Sequence, residues 1–345
     1  MTSSRFRVFR LLFLLTGDPV LGEINSRWYW LYSACMILCA VLTSLGMTLD
    51  VVVNLRDLNR FTQNARLLLT MFICFCYHTL RLRTRQLQDL LILAEDFTWD
   101  DLPAVGMASY IPMIRKLTWR SVIAVLCSHG VQLISRFSTE DERPLMFNSW
   151  FPFNTSQSPA FELLYVVHAV ASAWFTISAN ASIGLYATLV AIACTQLQKL
   201  RRAFLQPGLD LRACVYTHQG IKAYLKSLQG IYGLVLIGPF LLISLGMCIA
   251  TFSILLGDAM DALQALIIMA SLTAQLYMFC WFGNELTQET ASLREAVWGS
   301  DWVGADLHKQ KALVFVLAAS DQFTLTAGAL IPVSRHSLMQ VLNQT

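Results

Sequence analysis

The chain has 345 residues, of which 56% are hydrophobic and only 14% are charged, and its formal net charge is +3. Soluble domains carry about 25% charged residues, so this composition indicates an integral membrane protein and excludes an ordinary soluble enzyme. The excess of positive charge is too small to indicate binding to nucleic acid, and we expect no such partner.

The N-terminal segment, 1–27, is too weakly apolar to be a signal peptide. Its apolar core, Leu11 to Leu15, is shorter than the roughly 7–15 residues of such a core, and no small-x-small cleavage motif follows. Arg5, Arg7 and Arg10 lie among apolar residues, which predicts a short helix on the cytosolic membrane surface. A disordered tail is the alternative.

Six apolar runs follow that are long enough, or nearly so, to cross about 30 Å of hydrocarbon. They lie at 28–49, 64–80, 118–135, 161–193, 231–256 and 262–282. A seventh run, 312–333, contains Asp321. An Asp at the centre of a membrane helix costs about 2.5–3.5 kcal/mol on insertion, so we expect this run to avoid lipid.

The distribution of Lys and Arg predicts the orientation of the chain. Most of these residues lie in 1–27 and in alternate connections further on, of which 194–230 is the longest. The positive-inside rule therefore places the N-terminus in the cytosol. Apolar residues at helical spacing in 194–230 further predict that helices 4 to 6 project into the cytosol as a packed bundle.

Motifs of catalysis are missing from the sequence. We find no P-loop, metalloprotease, nucleophile-elbow or dinucleotide-binding motif, and no His, Cys and carboxylate cluster with metal-ligand spacing. We therefore expect neither an enzyme, a cofactor nor a metal site. Paired half-sequences typical of secondary transporters are missing as well. The nine cysteines lie in apolar runs or predicted cytosolic segments, so we expect no extracellular disulfide.

Polar side chains in the fourth span mark a candidate binding face. Leu164, His168, Ala171, Ser172 and Phe175 follow a helical spacing and share one side of the helix. Because lipid offers polar groups no partner, this face must contact protein or a cavity. It is either the wall of a pocket in the outer half of the bundle or a contact between helices.

The third span carries a second candidate face. Cys127, Gly130 and Ile134 lie at helical spacing, and the glycine leaves room for a ligand or for a neighbouring helix. In the loop that follows, Asn154 begins an Asn-Thr-Ser sequon, which predicts N-glycosylation if this loop is extracellular.

Three stretches resemble the insect odorant receptors. They are SWFPFNTSQSPAFELLYVVHAV at 149–170, CWFGNELTQETASLREAVWGSDW at 280–302, and LTAGALIPVSRHSLMQVLNQT at 325–345. The last two are specific to that family. Insect gustatory receptors share the architecture but do not usually carry CWFGNEL, and they remain the alternative.

The resemblance implies an all-α, polytopic membrane helical bundle with seven helices and a cytosolic N-terminus. It further implies an odorant-specific subunit that forms a ligand-gated, non-selective cation channel with the olfactory co-receptor, in the plasma membrane of olfactory neuron dendrites. The implied regions are a cytosolic segment 1–27, transmembrane helices 1 to 6 at 28–282, a cytosolic anchor with the first half of helix 7 at 283–333, and the start of its pore half at 334–345.

The resemblance also implies where the seventh helix should lie. It places 305–325, with Asp321, in the anchor and begins the pore half near Ser334. Between Ser337 and Thr345 only about 14 Å of helix can form, roughly half a membrane. We therefore expect the last helix to be incomplete, either because the chain is a piece of a longer one or because it is a non-conducting or pseudogenised receptor.

Two sets of site residues follow from helix faces together with the resemblance. A small volatile ligand is expected in the outer half of helices 2 to 6, at Leu69, Phe72, Ile73, Cys127, Gly130, Ile134, His168, Ser172, Phe175, Met247 and Thr251. Contacts with the co-receptor are expected at Leu286, Leu293 and Val297, which share one face of the helix 6 extension. A monomeric surface helix is the alternative, and membrane lipid is the remaining partner.

Overall fold

A computed structural model describes residues 6–18, 26–95, 110–137, 145–205, 211–257, 259–320, 322–328 and 330–344. These residues are almost entirely helical. The elements are α1 (Arg7–Leu15), α2 (Arg27–Val53), α3 (Leu58–His78), a 3-10 turn (Thr79–Arg83), α4 (Thr84–Glu95), α5 (Tyr110–Phe137), α6 (Ala160–Leu205), α7 (Leu211–Val235), α8 (Ile237–Leu256), α9 (Ala259–Trp298), α10 (Leu307–Ala319), β1 (Thr326–Ala327), β2 (Ile331–Pro332) and α11 (Arg335–Gln344).

Five segments in the described residues are long and apolar enough to cross a membrane. They are Arg27–Val53, Leu58–Ala94, Ala160–Leu205, Ile237–Leu256 and Asp261–Trp298. Helix α5, which holds the predicted run 118–135, has 28 residues, but Arg120, His129 and Gln132 lower its hydropathy. With α10 and α11 as the two parts of a broken seventh helix, the predicted all-α polytopic membrane bundle is confirmed.

Helix α6 is the centre of the bundle. Its 46 residues make a rod of about 69 Å, roughly twice the hydrocarbon thickness. Of its apolar window 83% is buried, against 33–39% for the other four spans, so the protein encloses it. Gly184, Ala187 and Ala191 lie on one buried side, where small residues let neighbouring helices approach closely.

The bundle has two ends, a top and a base. The top holds the α2–α3 turn at 54–57 and the segment 145–159, whose Trp150 donates a backbone hydrogen bond to Gly46 of α2. The base holds the 3-10 turn, α7, α10 and the last turns of α9. The base is thus built mainly of helices, whereas the top consists of a turn and a loop segment.

The N-terminal helix packs on protein. Phe9 and Leu12 are fully buried, and α1 lies against α6, whereas the membrane-surface helix predicted from the sequence would turn this face toward lipid. Gly17 follows with a φ of +79°, and a Cβ there would lie 2.8 Å from the Cα of Ser33, so the turn requires glycine. It leads to the buried Asp18, which pairs with His78 at 2.9 Å.

A short antiparallel hairpin connects the two parts of the seventh helix. Thr326 of β1 lies opposite Pro332 of β2. Helix α9 runs unbroken past Gly283, and the backbone of Val333 lies so close that a Cβ at position 283 would collide with its carbonyl oxygen. The glycine of the CWFGNEL motif is therefore needed for this contact. Asp321, expected in the anchor, lies outside the described residues.

Candidate ligand pocket and a cavity at the base

Aromatic rings bring α3 and α6 together in the region where the pocket was predicted. The ring of Phe75 lies 5.6 Å from the rings of both Trp174 and Phe175, and Phe72 lies 6.5 Å from Phe75 on its exposed side. The thiol of Cys74 donates to the backbone carbonyl of Phe175 at 3.4 Å. Phe175 therefore takes part in helix packing, and Phe72 lies at the edge of the same aromatic cluster.

His168 and Ser172 supply polar atoms to the buried face of α6. The Nε2 atom of His168 lies 3.5 Å from the hydroxyl of Ser149, and its ring lies 5.5 Å from Phe147. His168 Nδ1 and Ser172 Oγ are buried without a hydrogen-bond partner among the described residues. A buried polar group without a partner costs about 1–3 kcal/mol, so both positions favour a polar ligand atom or water.

The predicted residues of α8 face α9. Met247 is buried in the main apolar core, and the hydroxyl of Thr251 donates to the Met247 carbonyl at 3.1 Å and lies 3.9 Å from the sulfur of Met269. On α3, Ile73 is buried in the same core and Leu69 is half-buried. The structure thus divides the predicted set between an α3–α6 group and an α8–α9 group.

The predicted residues of α5 are not joined to either group. Cys127 is exposed, and no described atom lies within 4 Å of the place where a Cβ of residue 130 would be, so Gly130 faces open space. The side chain of Ile134 lies outside the described part of the chain. Asn154 is exposed at the top, and its side-chain oxygen accepts a hydrogen bond from the Ser156 backbone at 3.0 Å.

A polar cluster at the top surrounds the buried carboxylate of Asp50. Arg60 donates to it through Nε at 3.0 Å and through its terminal nitrogen at 2.5 Å. Asn54 and Asn64 donate to the same carboxylate at 3.1 and 2.5 Å. Three donor side chains therefore hold this single charge between α2 and α3.

A second carboxylate, that of Asp261 at the start of α9, accepts hydrogen bonds from residues of α3. Asn59 and Gln63 donate to one oxygen at 3.2 and 2.5 Å, and Arg66 donates to the Asp261 backbone carbonyl at 3.3 Å. Neither cluster was predicted from the sequence. Asn59 and Arg60 lie four positions before Gln63 and Asn64, at the start of the apolar run 64–80, and this helical spacing of polar residues could have identified them.

A cavity of about 330 Å³ lies at the base, between α6, α7, α9 and the segment after α10. His218 places Nε2 3.1 Å from the hydroxyl of Ser320 at its edge. Burial, with a smaller contribution from Lys222, lowers the pKa of His218. The imidazole is therefore neutral at physiological pH. The cavity is lined by Leu197, His218, Ile221, Lys222, Leu225, Lys226, Gln229, Thr290, Leu293, Ala319, Ser320, Gln322 and Phe323.

The predicted subunit contacts need correction. Leu286, Leu293 and Val297 are only 0%, 2% and 1% exposed in the single chain, so they pack within the chain itself and offer no surface to a second subunit. The helical pattern identified an apolar face correctly but not what covers it. Large exposed apolar side chains in the last turn of α9, the loop after it and α10 are instead Trp298, Val303, Leu307, Val314 and Phe315.

Sequence comparison matches most of the chain to one family. The sequence model of the 7tm odorant receptor family matches residues 66–345. Odorant receptor 19a of Drosophila melanogaster is 23% identical over 231 residues, which cover 63% of this chain and 60% of that protein. Odorant receptor 10 of Aedes albopictus is 24% identical over 203 residues, 54% of each chain. The chain thus spans less than two thirds of the length of these curated relatives.

Comparison with solved structures gives a match over nearly the whole chain. The insect olfactory receptor OR5 from Machilis hrabei, solved in complex with eugenol, superposes with a TM-score of 0.77 at 15% sequence identity. The superposition covers 99% of this chain and 94% of that receptor. A further structure of the same receptor gives a TM-score of 0.75. At this identity the likeness establishes the fold.

Proposed function

The chain belongs to the insect 7tm odorant receptor family, and on that premise we propose that it is the odorant-binding subunit of a ligand-gated, non-selective cation channel formed with the olfactory co-receptor. Its ligand is a small volatile molecule. The chain lies in the plasma membrane of olfactory neuron dendrites, with its base in the cytosol and Asn154 outside. The predominance of Lys and Arg near the base supports this orientation.

One observation carries the proposed pocket. Among the residues that the structure describes, His168 Nδ1 and Ser172 Oγ have no hydrogen-bond partner. They lie one helical turn apart, with the ring of Phe147 beside His168 and Phe175 on the same buried face of α6. Ligand pockets combine apolar walls with a few polar groups that fix orientation. This arrangement favours a volatile that has an apolar body and one oxygen atom, since the oxygen would complete the hydrogen bonds of the two side chains.

The helices suggest how binding reaches the channel. Helix α9 extends from the α8–α9 group, near Met247, to the contact of Gly283 with Val333, and Val333 lies between the hairpin and α11. A ligand shifts the channel only by the difference in its affinity for the open and closed states. We assign that difference in affinity to the packing of α8 against α9. A movement of α9 would reach α11 through the contact of Gly283 with Val333.

Exposed apolar side chains at the base support an oligomer. Val314 and Phe315 on α10 are 64% and 57% exposed, and Trp298 at the end of α9 is 64% exposed. Large apolar side chains exposed at one end of a molecule favour protein contacts there. We assign it to the interface with the co-receptor, in place of the three buried residues predicted from the sequence.

The test is a recording of odorant-evoked current from the chain expressed with the co-receptor. The His168→Ala and Ser172→Ala variants should each need about tenfold more of an oxygen-bearing volatile while responses to hydrocarbons stay unchanged. Leu163→Ala, on the exposed side of the same helix, is the matched control. Unchanged responses in both variants would remove α6 from the pocket. Lack of any evoked current at normal surface expression would overturn the channel proposal.

A further inference from the structure

The cavity at the base is separate from the proposed odorant pocket and has a different chemistry. Its walls are formed by the buried side chains of Leu197, Ile221, Leu225 and Leu293, with Phe323 at one side. A volume of about 330 Å³ lies at the lower end of the range for small-molecule sites. The walls therefore fit the apolar part of a small ligand.

Polar groups deep in the cavity are already satisfied by the protein. Gln229 donates to the Thr326 carbonyl at 2.9 Å and accepts from the Thr326 backbone N–H at 2.9 Å. The hydroxyl of Thr290 bonds the backbone of Thr287 and Phe323. A ligand therefore gains little from a polar group placed in the interior of this cavity.

Two lysines at the rim keep donors to spare. Lys222 and Lys226 lie one turn apart on α7 and are exposed. Lys222 donates to the Ala319 carbonyl at 3.1 Å, which uses one of its three N–H groups. Lys226 has no ion-pair partner within the described ranges. An apolar cavity with two cations at its rim matches a ligand that has an apolar tail and an anionic head.

The distance from the membrane span indicates the source of that ligand. Lys226 precedes Ile237, where α8 begins, by 11 positions, and Lys222 precedes it by 15. At 1.5 Å per residue these lysines lie about 16 and 22 Å beyond the span. Measured along the helix from Ile237, this spacing favours a ligand from the aqueous phase over a phospholipid whose head group stays at the bilayer surface.

We propose that this cavity is a second ligand site that binds a free medium-chain fatty carboxylate, with its tail between Leu225 and Leu293 and its head group beside Lys222 and Lys226. The ligand would bridge α7 to the end of α10, since Ala319 and Ser320 form part of the same wall. The segment that follows leads through the hairpin to α11. The site would therefore act on the seventh helix from the side opposite to the odorant pocket.

Binding of decanoate to the purified chain in zwitterionic nanodiscs tests the site, with empty nanodiscs subtracted. Decanoate should bind saturably and more weakly as salt concentration rises. Decanol, which has the same tail without the charge, and acetate, which has the charge without the tail, should each bind at least about tenfold more weakly, since either part alone loses one group of contacts. Equal binding of decanol, or no saturable binding of decanoate, would overturn the proposal.

Substitutions locate the bound ligand. Lys226→Glu should weaken decanoate about tenfold, whereas Lys311→Gln, an exposed lysine on α10 away from the cavity, should leave it unchanged. Ala319→Phe should abolish binding by filling the cavity, and if that variant does not fold, the lysine pair of variants still decides. The same measurement is repeated with the chain in nanodiscs that contain anionic phospholipid. Loss of decanoate binding there would assign the site to a lipid head group and overturn the proposal of a free carboxylate.

Discussion

The indole nitrogen of Trp174, within α6, donates a hydrogen bond of 2.9 Å to the backbone carbonyl of Thr16, which directly follows α1. The ring of Trp174 is fully buried and lies 5.5 Å from the ring of His78. Asp18, two residues after Thr16, pairs with the same His78. The N-terminal segment is thus fixed to the central helix and to the end of α3 at once.

Removing this hydrogen bond should loosen the N-terminal segment. Trp174→Phe keeps an aromatic ring but leaves the buried Thr16 carbonyl without its donor, so we expect a loss of about 1–3 kcal/mol in the free energy of unfolding. Thermal unfolding of the purified protein measures it. Trp28→Phe, at a position 80% exposed, is the control and should leave the midpoint in place. Equal midpoints for both variants would contradict the assigned role.

Removing Arg60 from the cluster around Asp50 should lower the free energy of unfolding more than neutralising Asp50 itself. The side chain of Arg60 is 43% exposed and can be hydrated when it loses its partner, whereas that of Asp50 is 1% exposed and cannot. Arg60→Met should therefore destabilise by about 2–3 kcal/mol, and Asp50→Asn by about 1 kcal/mol.

Chemical or thermal unfolding of the two variants tests this order. Arg56→Met, at an exposed position in the preceding turn, controls for the loss of a surface cation and should have little effect. A larger loss for Asp50→Asn than for Arg60→Met would contradict this order and show that the carboxylate of Asp50 stabilises the cluster even without Arg60, through Asn54 and Asn64.

Gly283→Ala should disturb the attachment of the hairpin to α9. The added methyl group meets the backbone and side chain of Val333, and forced overpacking costs about 1–3 kcal/mol. Gly220→Ala on α7 is a matched control, because no described atom lies within 4 Å of its Cβ position. That variant should gain about 0.5–1 kcal/mol from helix propensity. Protease protection of the hairpin is compared in the two variants and should fall only in Gly283→Ala. Protection unchanged by Gly283→Ala would disprove the contact.

The buried His218 makes stability at the base depend on pH. Burial and Lys222 lower its pKa in the folded state, so the unfolded chain binds the proton first as pH falls. Stability should be full above about pH 6.5, the ordinary value, and decline as pH falls toward the lowered pKa. His218→Gln should reduce this decline, and the exposed His308→Gln should not. A decline that persists in His218→Gln would assign it to other groups.

The helices were predictable because a membrane span needs a long apolar run, and such runs are visible in the sequence. The buried stripe on α6 was predictable for a similar reason, since Ala171, Ser172 and Phe175 keep one helical spacing. Periodicity, however, shows that a face is covered and not what covers it. Leu286 and Val297 were placed in a subunit interface for that reason, and the structure buries them within the chain.

Partners distant in sequence could not be predicted. Gln63 and Asp261 are 198 positions apart, and the walls of the base cavity come from four separate elements. An amphipathic pattern is also the same whether its apolar side meets lipid or protein, which is why Phe9 of α1 was expected at the membrane surface. Such features depend on the tertiary arrangement, and composition and spacing do not carry it.

The enclosure of α6 has a consequence for biosynthesis. The ribosome makes α6 before α8 and α9, so when α6 leaves the translocon its Tyr186 side, which in the folded chain contacts Phe279, still lacks α9 as a partner. Lipid contacts on that side are exchanged for α9 only after α9 has been made, and α6 and α9 share one of the largest contacts in the bundle. Maturation of this receptor in the endoplasmic reticulum therefore includes a late step in which its most buried helix leaves the bilayer's hydrocarbon for a place among its neighbours.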